Sequence, residues 1–352
     1  MSFVEEKCES IKRYILEKIR MDDVQYAQKT AENFQVSLTT IKRYVKSCVE
    51  KNIIEESNEC ACKYRLSTEI RDFEYELNGF LMEDGVFTED IRSEIKNISK
   101  EAEQIWSYVF MEMMNNAIEH SEGTKICCRV MKDYLYTEIS ITDNGIGIFK
   151  KLQNYLKEKM YPNVTYQDVI TELYKGKLTT NPTCHSGEGV FFSSKMLNEF
   201  AIWSDNTIFS FGCFEKEKIV QSHLISYYTR LMNIGTMVVM KLENYTTRKM
   251  KEVFDIYAPI EEGFVKTVIP MKEVCPYGEP IARSQARRIL FRLELFKKVI
   301  LDFLGVEFMG QGFADEVFRV FRNKHPEIEI IPVHANESVM GMIVHVQNRV
   351  LE

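Results

Sequence analysis

No stretch of this 352-residue chain approaches the roughly 20 consecutive apolar residues that a membrane-crossing helix needs. The first residues, Met-Ser-Phe-Val-Glu-Glu-Lys, hold no apolar core of a secretory signal. No membrane contact is therefore expected, and the cytoplasm is the default compartment. Paired cysteines are missing as well. The nine cysteines are odd in number and lack C-x-x-C spacing, so they read as reduced thiols rather than a disulfide or zinc framework. Cys60-Ala-Cys62 and Cys127-Cys128 lack a second ligand pair, and Cys184-His185 reads as loop, which leaves no structural metal to assign. The phosphate-loop pattern G-x-x-x-x-G-K-S/T is absent and removes that nucleotide-binding fold. There is no internal repeat or low-complexity linker, and a net charge of −7 supplies no broad basic surface for nucleic acid.

What the chain does have is a set of polar motifs in apolar surroundings. Glu112-Met-Met-Asn-Asn116-Ala-Ile-Glu-His120 puts Glu112 and Asn116 four apart, on one face of a helix, where they can share a ligand. Asn115 is expected to face elsewhere, while Met111, Met114, Ala117 and Ile118 give the helix its apolar side. Thr137 to Thr142 then alternates like a half-buried strand that delivers Asp143 at its end, followed by Asn-Gly145-Ile-Gly147. Further on, Gly187-Glu-Gly189-Val190 opens a helix over Val190 to Leu197 whose free N–H groups suit a phosphate. Gly235-Thr236 leads into another apolar run.

In this order, the motifs resemble the N-box, the two glycine boxes and the glycine-threonine strand of the GHKL ATPase fold, shared by gyrase, MutL, histidine kinases and anti-sigma kinases. The resemblance covers roughly residues 85 to 250 and rests on four ordered elements rather than a lone glycine pair. It implies ATP and Mg²⁺ as ligands. Asp143 would accept a hydrogen bond from the adenine amino group, with Gly145, Gly147 and Thr236 beside it. Asn116 would hold Mg²⁺. Gly187, Gly189 and Val190 would hold the phosphates at a helix start. Lys175-Gly-Lys177-Leu-Thr-Thr-Asn-Pro-Thr resembles the nucleotide lid, from which Lys175 or Lys177 would reach a phosphate or stay solvated. Glu112 matches the glutamate that activates water or a hydroxyl; His120 is equally a structural helix-end residue. The implied activity is that of an Mg-dependent ATPase. Transfer to a partner's hydroxyl, as in anti-sigma serine/threonine kinases, and ATP binding without turnover stand as alternatives. All six histidines lie at or after His120, so no helix ahead of the N-box offers the phosphoacceptor of a conventional histidine kinase. Related ATPases dimerise, which makes a homodimer an expectation.

Ahead of this region, residues 1–68 read as a helix-turn-helix. Ile11 to Ile19 and Val24 to Phe34 are amphipathic, and Ser37 caps a third helix through Val49. Asn52-Ile-Ile-Glu and Lys63-Tyr-Arg-Leu66 are short strand-like runs, and the whole resembles the winged helix of bacterial regulators. If the third helix enters a major groove of DNA, Thr39, Thr40, Lys42, Arg43 and Lys46 meet bases and phosphates. Phe73 to Lys100 reads as a charged helical region closing the boundary with the ATPase unit, taken as 69–250.

The last unit, 251–352, follows a connecting helix read from Leu242 to Tyr257. It alternates strand and helix: Phe264 to Ile269, a basic helix Pro280 to Phe296, Lys298 to Phe303, Phe313 to Phe321, Ile328 to Val333 and Glu337 to Val344. Asp302-Phe-Leu-Gly-Val-Glu-Phe-Met-Gly-Gln311-Gly312-Phe-Ala-Asp315 resembles the strand, loop and helix of STAS domains, most closely the STAS-like domain DUF4325. That resemblance implies a protein partner. Phosphorylatable members carry a serine at the helix start, but no Ser or Thr stands between Asp302 and Asp315 here. Arg283-Ser-Gln-Ala-Arg287-Arg288 reads as an exposed basic face. The fold class is thus α+β multidomain: winged helix-turn-helix, GHKL α/β sandwich and STAS-like α/β domain.

Overall fold

The computed structural model describes residues 3–159, 162–180, 187–205, 207–212, 234–275 and 278–348. Helices α1 (Phe3–Arg20), α2 (Tyr26–Phe34) and α3 (Leu38–Glu50) come first, followed by a hairpin of β1 (Ile54–Glu56) and β2 (Tyr64–Leu66). Ile11, Ile15 and Ile19 recur every four residues along α1 and are buried against Ile41, Val45 and Cys48 of α3. Ser37 is extended at φ −72°, and its hydroxyl accepts from the Thr40 N–H, which starts α3. The Asp22 carboxylate accepts from the N–H groups of Ala61 (3.1 Å) and Cys62 (2.9 Å), tying the hairpin loop to the turn after α1.

Next comes a six-stranded, wholly antiparallel sheet. Its strands are β3 (Glu69–Glu76), β4 (Lys125–Lys132), β5 (Tyr136–Asp143), β6 (Glu199–Ser204), β7 (Thr207–Phe211) and β8 (Met237–Glu243), in the spatial order β3-β4-β5-β8-β6-β7. Edge strand β3 corrects the helical reading of Phe73 onward. Phe73 and Tyr75 alternate with charged residues and pack on the core, so helical backbone begins only at Glu83 and ends at Glu94. The long helix α4 (Lys100–His120) buries Trp106, Val109, Phe110, Met113, Met114 and Ala117. Met111 and Ile118, expected on that apolar side, are only half-buried.

Strand β5 also departs from simple alternation. From Ile139 to Asp143 every residue is buried, because Ser140 and Thr142 pair across the sheet with Val239, Met237 and Cys127, which belong to a second small apolar cluster. Helices α5 (Ile148–Lys159), α6 (Tyr166–Lys175) and α7 (Gly189–Met196) complete this part of the chain.

After β8 the expected connecting helix is shorter than its sequence suggested, α8 (Met250–Tyr257), since Leu242 and Glu243 still belong to the strand. The remaining elements form a three-stranded parallel sheet, β9 (Lys266–Pro270), β10 (Lys298–Asp302) and β11 (Glu329–Val333), in the order β11-β10-β9. Helices α9 (Arg283–Leu290), α10 (Gln311–Asp315, continuing through Glu316–Phe321 and Arg322–Lys324) and α11 (Glu337–Asn348) join them. The basic helix read as Pro280 to Phe296 stops at Leu290, where Phe291 leaves helical backbone (ψ 133°) and Arg292 turns left-handed, φ 61°, before a 3₁₀ turn at Leu293–Leu295. The hydrophobic core runs without a break from the face of the six-stranded sheet into this C-terminal part. Among the described residues, no helix is long and apolar enough to cross a membrane.

Candidate functional site

Helix α4 carries Glu112, Asn115, Asn116 and His120 into the wall of one cavity of about 310 Å³. Asn115 was expected to face elsewhere. It lies three residues from Glu112, and the i+3 position shares the helix face with i+4, so both amides reach the cavity. The walls between the polar groups are apolar: Ile141, Ile148, Leu152, Leu173, Ile202 and Val238.

Asp143 ends β5 inside this cavity and is 4% exposed. One of its carboxylate oxygens accepts from the N–H groups of Gly145 (2.8 Å) and Thr236 (3.2 Å). Burial pushes the carboxyl up to about 6, and those hydrogen bonds act in the opposite direction. Thr236 is fixed in turn, its hydroxyl accepting from the Ile148 N–H (3.0 Å) and its backbone bonded to that of Asp143. The glycines around Asp143 serve close backbone approach within the protein. A Cβ on Gly145 would collide with the Ser121 carbonyl, and one on Gly235 with Asp143 and Gly145 themselves. Gly147, at φ 87°, packs beside Ser204 and Asp205. Gly145 and Gly147 therefore shape the turn after Asp143 and do not line the cavity.

The start of α7 closes the opposite side. Gly187, Gly189 and Val190 line the cavity, and Gly189 lets the helix start come against Glu112, since a Cβ there would strike Glu112 Oε2. The lysines expected at the lid lie elsewhere. Lys175 is 1% exposed, with its ammonium between the Glu172 carboxylate and the Phe291 carbonyl (2.6 Å). Lys177 donates to the Leu295 carbonyl (2.9 Å) and lies over the Phe296 ring. The lysine that does line the cavity is Lys151, which sequence reasoning passed over. It donates to the His120 carbonyl (2.9 Å) and the Glu122 carboxylate (2.9 Å). Its position as the fourth residue of the helix after Gly147 was the available signal. The neighbouring Cys184-His185 lies outside the described residues.

On α3, Thr39, Lys42, Arg43 and Lys46 are exposed and Thr40 is half-buried, all away from the face that buries Ile41, Val45 and Cys48. Lys46 approaches Glu50 at 3.8 Å, an exposed pair of small worth. At the other end of the chain the basic face of α9 is not free. Arg283 bonds Asp315 (2.9 Å), Arg287 bonds Glu316 (2.9 Å) and Arg288 approaches Asp168 of α6 (3.4 Å), so the face is exposed, as expected, and also ion-paired along one side.

Residues 285–340 match a STAS-like domain of unknown function, DUF4325. The match begins within α9, takes in β10, α10 and β11, and ends inside α11. No curated protein matches the chain.

Proposed function

We propose that this chain is an ATP-binding regulatory protein that hydrolyses ATP slowly, with nucleotide state controlling contacts to DNA or to a protein partner. On this reading residues 1–68 are a winged helix, 69–250 a GHKL-type ATPase unit and 251–352 a STAS-like unit. The observation that carries it is the convergence, on one cavity, of a buried Asp143 carboxylate, the Glu112/Asn116 face of α4 and the glycine-rich start of α7.

The chemistry follows from those positions. Asp143 would accept from the amino group of adenine, and Ile141, Ile148 and Val238 supply apolar wall beside it, a pairing that would select adenine by a charge-assisted bond. The N–H groups at the start of α7 face the phosphates. Asn116, with Asn115 beside it in the cavity wall, offers an amide oxygen of the hard kind that suits Mg²⁺ and leaves Glu112 to the water. Asn116 would hold the ion, which supplies charge neutralisation at the phosphates. Glu112 would orient a water and take its proton as that water attacks the terminal phosphorus and ADP leaves. The exposed face of α3, through Thr39, Thr40, Lys42, Arg43 and Lys46, is the surface offered to DNA, by analogy of fold. ATP must bind two arrangements of the chain unequally for such control to operate.

Incubation with γ-labelled ATP, alone and with cell extract, tests the reading. Free phosphate is expected; label on an extract protein would move the activity to protein phosphorylation, and no release at all would leave a binding module. Asp143→Asn should abolish measurable ATP affinity, while Glu112→Ala should retain binding and stop turnover. Asp143 accepts from adenine best when ionised. With its carboxyl titrating at about 6, ATP affinity should therefore weaken as the pH is lowered through 6.

A further inference from the structure

The rim of the cavity, Leu178 to Thr180, follows directly on a short stretch of chain that is bolted to the STAS-like segment. The bolt is built around one carboxylate. Glu172, 1% exposed, receives the Lys175 ammonium on one oxygen and Arg292 Nη1 (3.1 Å) on the other. The second prong of Arg292, Nη2, donates to the Lys177 carbonyl (2.8 Å). Bonds also run the other way, from Lys175 to the Phe291 carbonyl and from Lys177 to the Leu295 carbonyl. Thr267 of β9 adds a hydroxyl donated to the Lys175 carbonyl (2.8 Å).

The geometry is over-determined in a way that ordinary packing is not. Arg292 and Lys177 both hold left-handed backbones, φ 61° and 59°, which non-glycine residues keep only where surrounding bonds impose them. Gly176 between the two lysines sits at φ 80°, where a Cβ would strike the Phe264 ring. A buried carboxylate shared by two cations loses its compensation when one is removed. The same helix, α6, also presents Leu173 to the cavity wall. A shift of residues 291–296 would break or drag the bonds to Lys175 and Lys177, the residues that lead directly into the rim.

We infer that Arg292 is a positioning residue through which the STAS-like segment sets the shape of the cavity rim and, with it, the affinity for nucleotide. The identity of the ligand rests on the ATP reading above; the coupling rests on the bonds just described. A partner that grips the C-terminal unit and draws the 291–296 segment away would loosen the rim, and nucleotide binding would reciprocally tighten that segment.

The experiment uses the full chain, with Mg²⁺ and ATP as the probe. ATP affinity is measured by calorimetry, and amide exchange is followed in residues 171–180 and 291–296. Wild type should show slower exchange at 291–296 when ATP is added. In Arg292→Ala, ATP affinity should fall about tenfold, a size common for coupled sites, and the ATP-dependent slowing at 291–296 should vanish. Arg292→Lys, which keeps the charge but loses the two-pronged fork, should fall between and provides the reading if the alanine variant does not fold. A purely structural role would lower stability yet leave the ATP-dependent slowing intact, and that result would overturn the inference. So would unchanged ATP affinity in Arg292→Lys and Arg292→Ala beside a wild type that binds ATP. A wild type that takes up no ATP would instead sink the reading of the site itself.

Discussion

The six-stranded unit is joined to its two neighbours by junctions of different chemistry. On the N-terminal side, α1 meets the β4–β5 turn and the end of β8 through cations over aromatic rings: Lys12 over Tyr134 (3.8 Å), Arg20 over Tyr136 (4.7 Å) and, just past β8, Arg13 over Tyr245 (4.4 Å). Tyr134 adds a hydrogen bond to Glu9 (2.7 Å), and Leu135 at the tip of the turn is the one residue of this unit fully buried in the N-terminal core among those described. On the C-terminal side the contact is a dry aromatic cluster. Phe264 packs tilted against Phe191 (4.6 Å) and Phe192 (5.1 Å) and edge-on to Phe296 (5.4 Å), beside the buried Glu172–Lys175–Arg292 cluster. Polar, cation–π contacts release cheaply into water, while a continuous apolar core does not. The difference argues that the C-terminal unit and the sheet act as one body and the N-terminal unit as a separable one.

The largest test strikes the dry junction. Phe264→Ala removes a ring that is 5% exposed and should cost about 3–5 kcal/mol. Denaturant unfolding should show the sheet and the C-terminal unit weakened together, in one transition. Leu135→Ala is the matching test on the other side, expected at about 2–3 kcal/mol, low in the range for a buried leucine. Its effect should stay local. Amide protection should fall in α1 and α3 and persist in β5 and β8. Equal loss in both places would erase the contrast between the junctions.

Much of this architecture was legible from periodicity, and the failures have physical causes. Helix α3 could be read from its Ser37 cap and four-residue spacing, and the parallel sheet from alternating strand and helix runs. That Glu112 and Asn116 share a helix face was legible too, because four-residue spacing along a helix is fixed by its geometry, and Asp143 could be read as the end of a strand. What sequence could not give was the destination of long flexible side chains. Lys177 was read as reaching a phosphate or staying solvated, yet it is drawn to the Leu295 carbonyl, while Arg283, Arg287 and Arg288 keep the exposure expected of them but pair with acids that the sequence did not point to. Lys151 was missed for the same reason in reverse. A helix end was misplaced where Phe291 and the left-handed Arg292 break a run that composition alone would continue.

A smaller effect is expected at Lys195, on the C-terminal side. Its ammonium lies 3.4 Å from the centre of the Phe211 ring and also near Phe191, and burial pushes its titration down to about 7, with Asp302 acting against it. Between about 7 and the usual lysine value of 10.5 the unfolded chain holds this proton and the folded one does not. Stability should therefore rise with pH across that window and lose the benefit as pH falls through it. Lys195→Met should flatten that slope and raise stability near neutral pH by about 1 kcal/mol, since an apolar chain of similar size avoids the buried charge. Midpoints of urea unfolding at pH 7 and 9 check both signs. An unchanged slope would mean that Lys195 stays protonated over its aromatic neighbours.

The smallest effect belongs to the wet junction. Arg13→Ala removes a guanidinium that rests on Tyr245 and approaches Glu9 at 3.4 Å, and exposed cation–π contacts of this kind are worth about 0.5–1 kcal/mol. If the N-terminal unit is held by several such contacts in parallel, the loss should be measurable at low salt, where the Glu9 term is unscreened, and should shrink at high salt. Its location would be as telling as its size. Amide exchange should quicken at the β4–β5 turn and along the first turns of α1, and ATP affinity should stay at the wild-type value, because Asp143 lies at the far end of β5 from that turn. A fall in ATP affinity would mean that β5 transmits strain along its length, and that the N-terminal unit is coupled to the cavity as firmly as the C-terminal one.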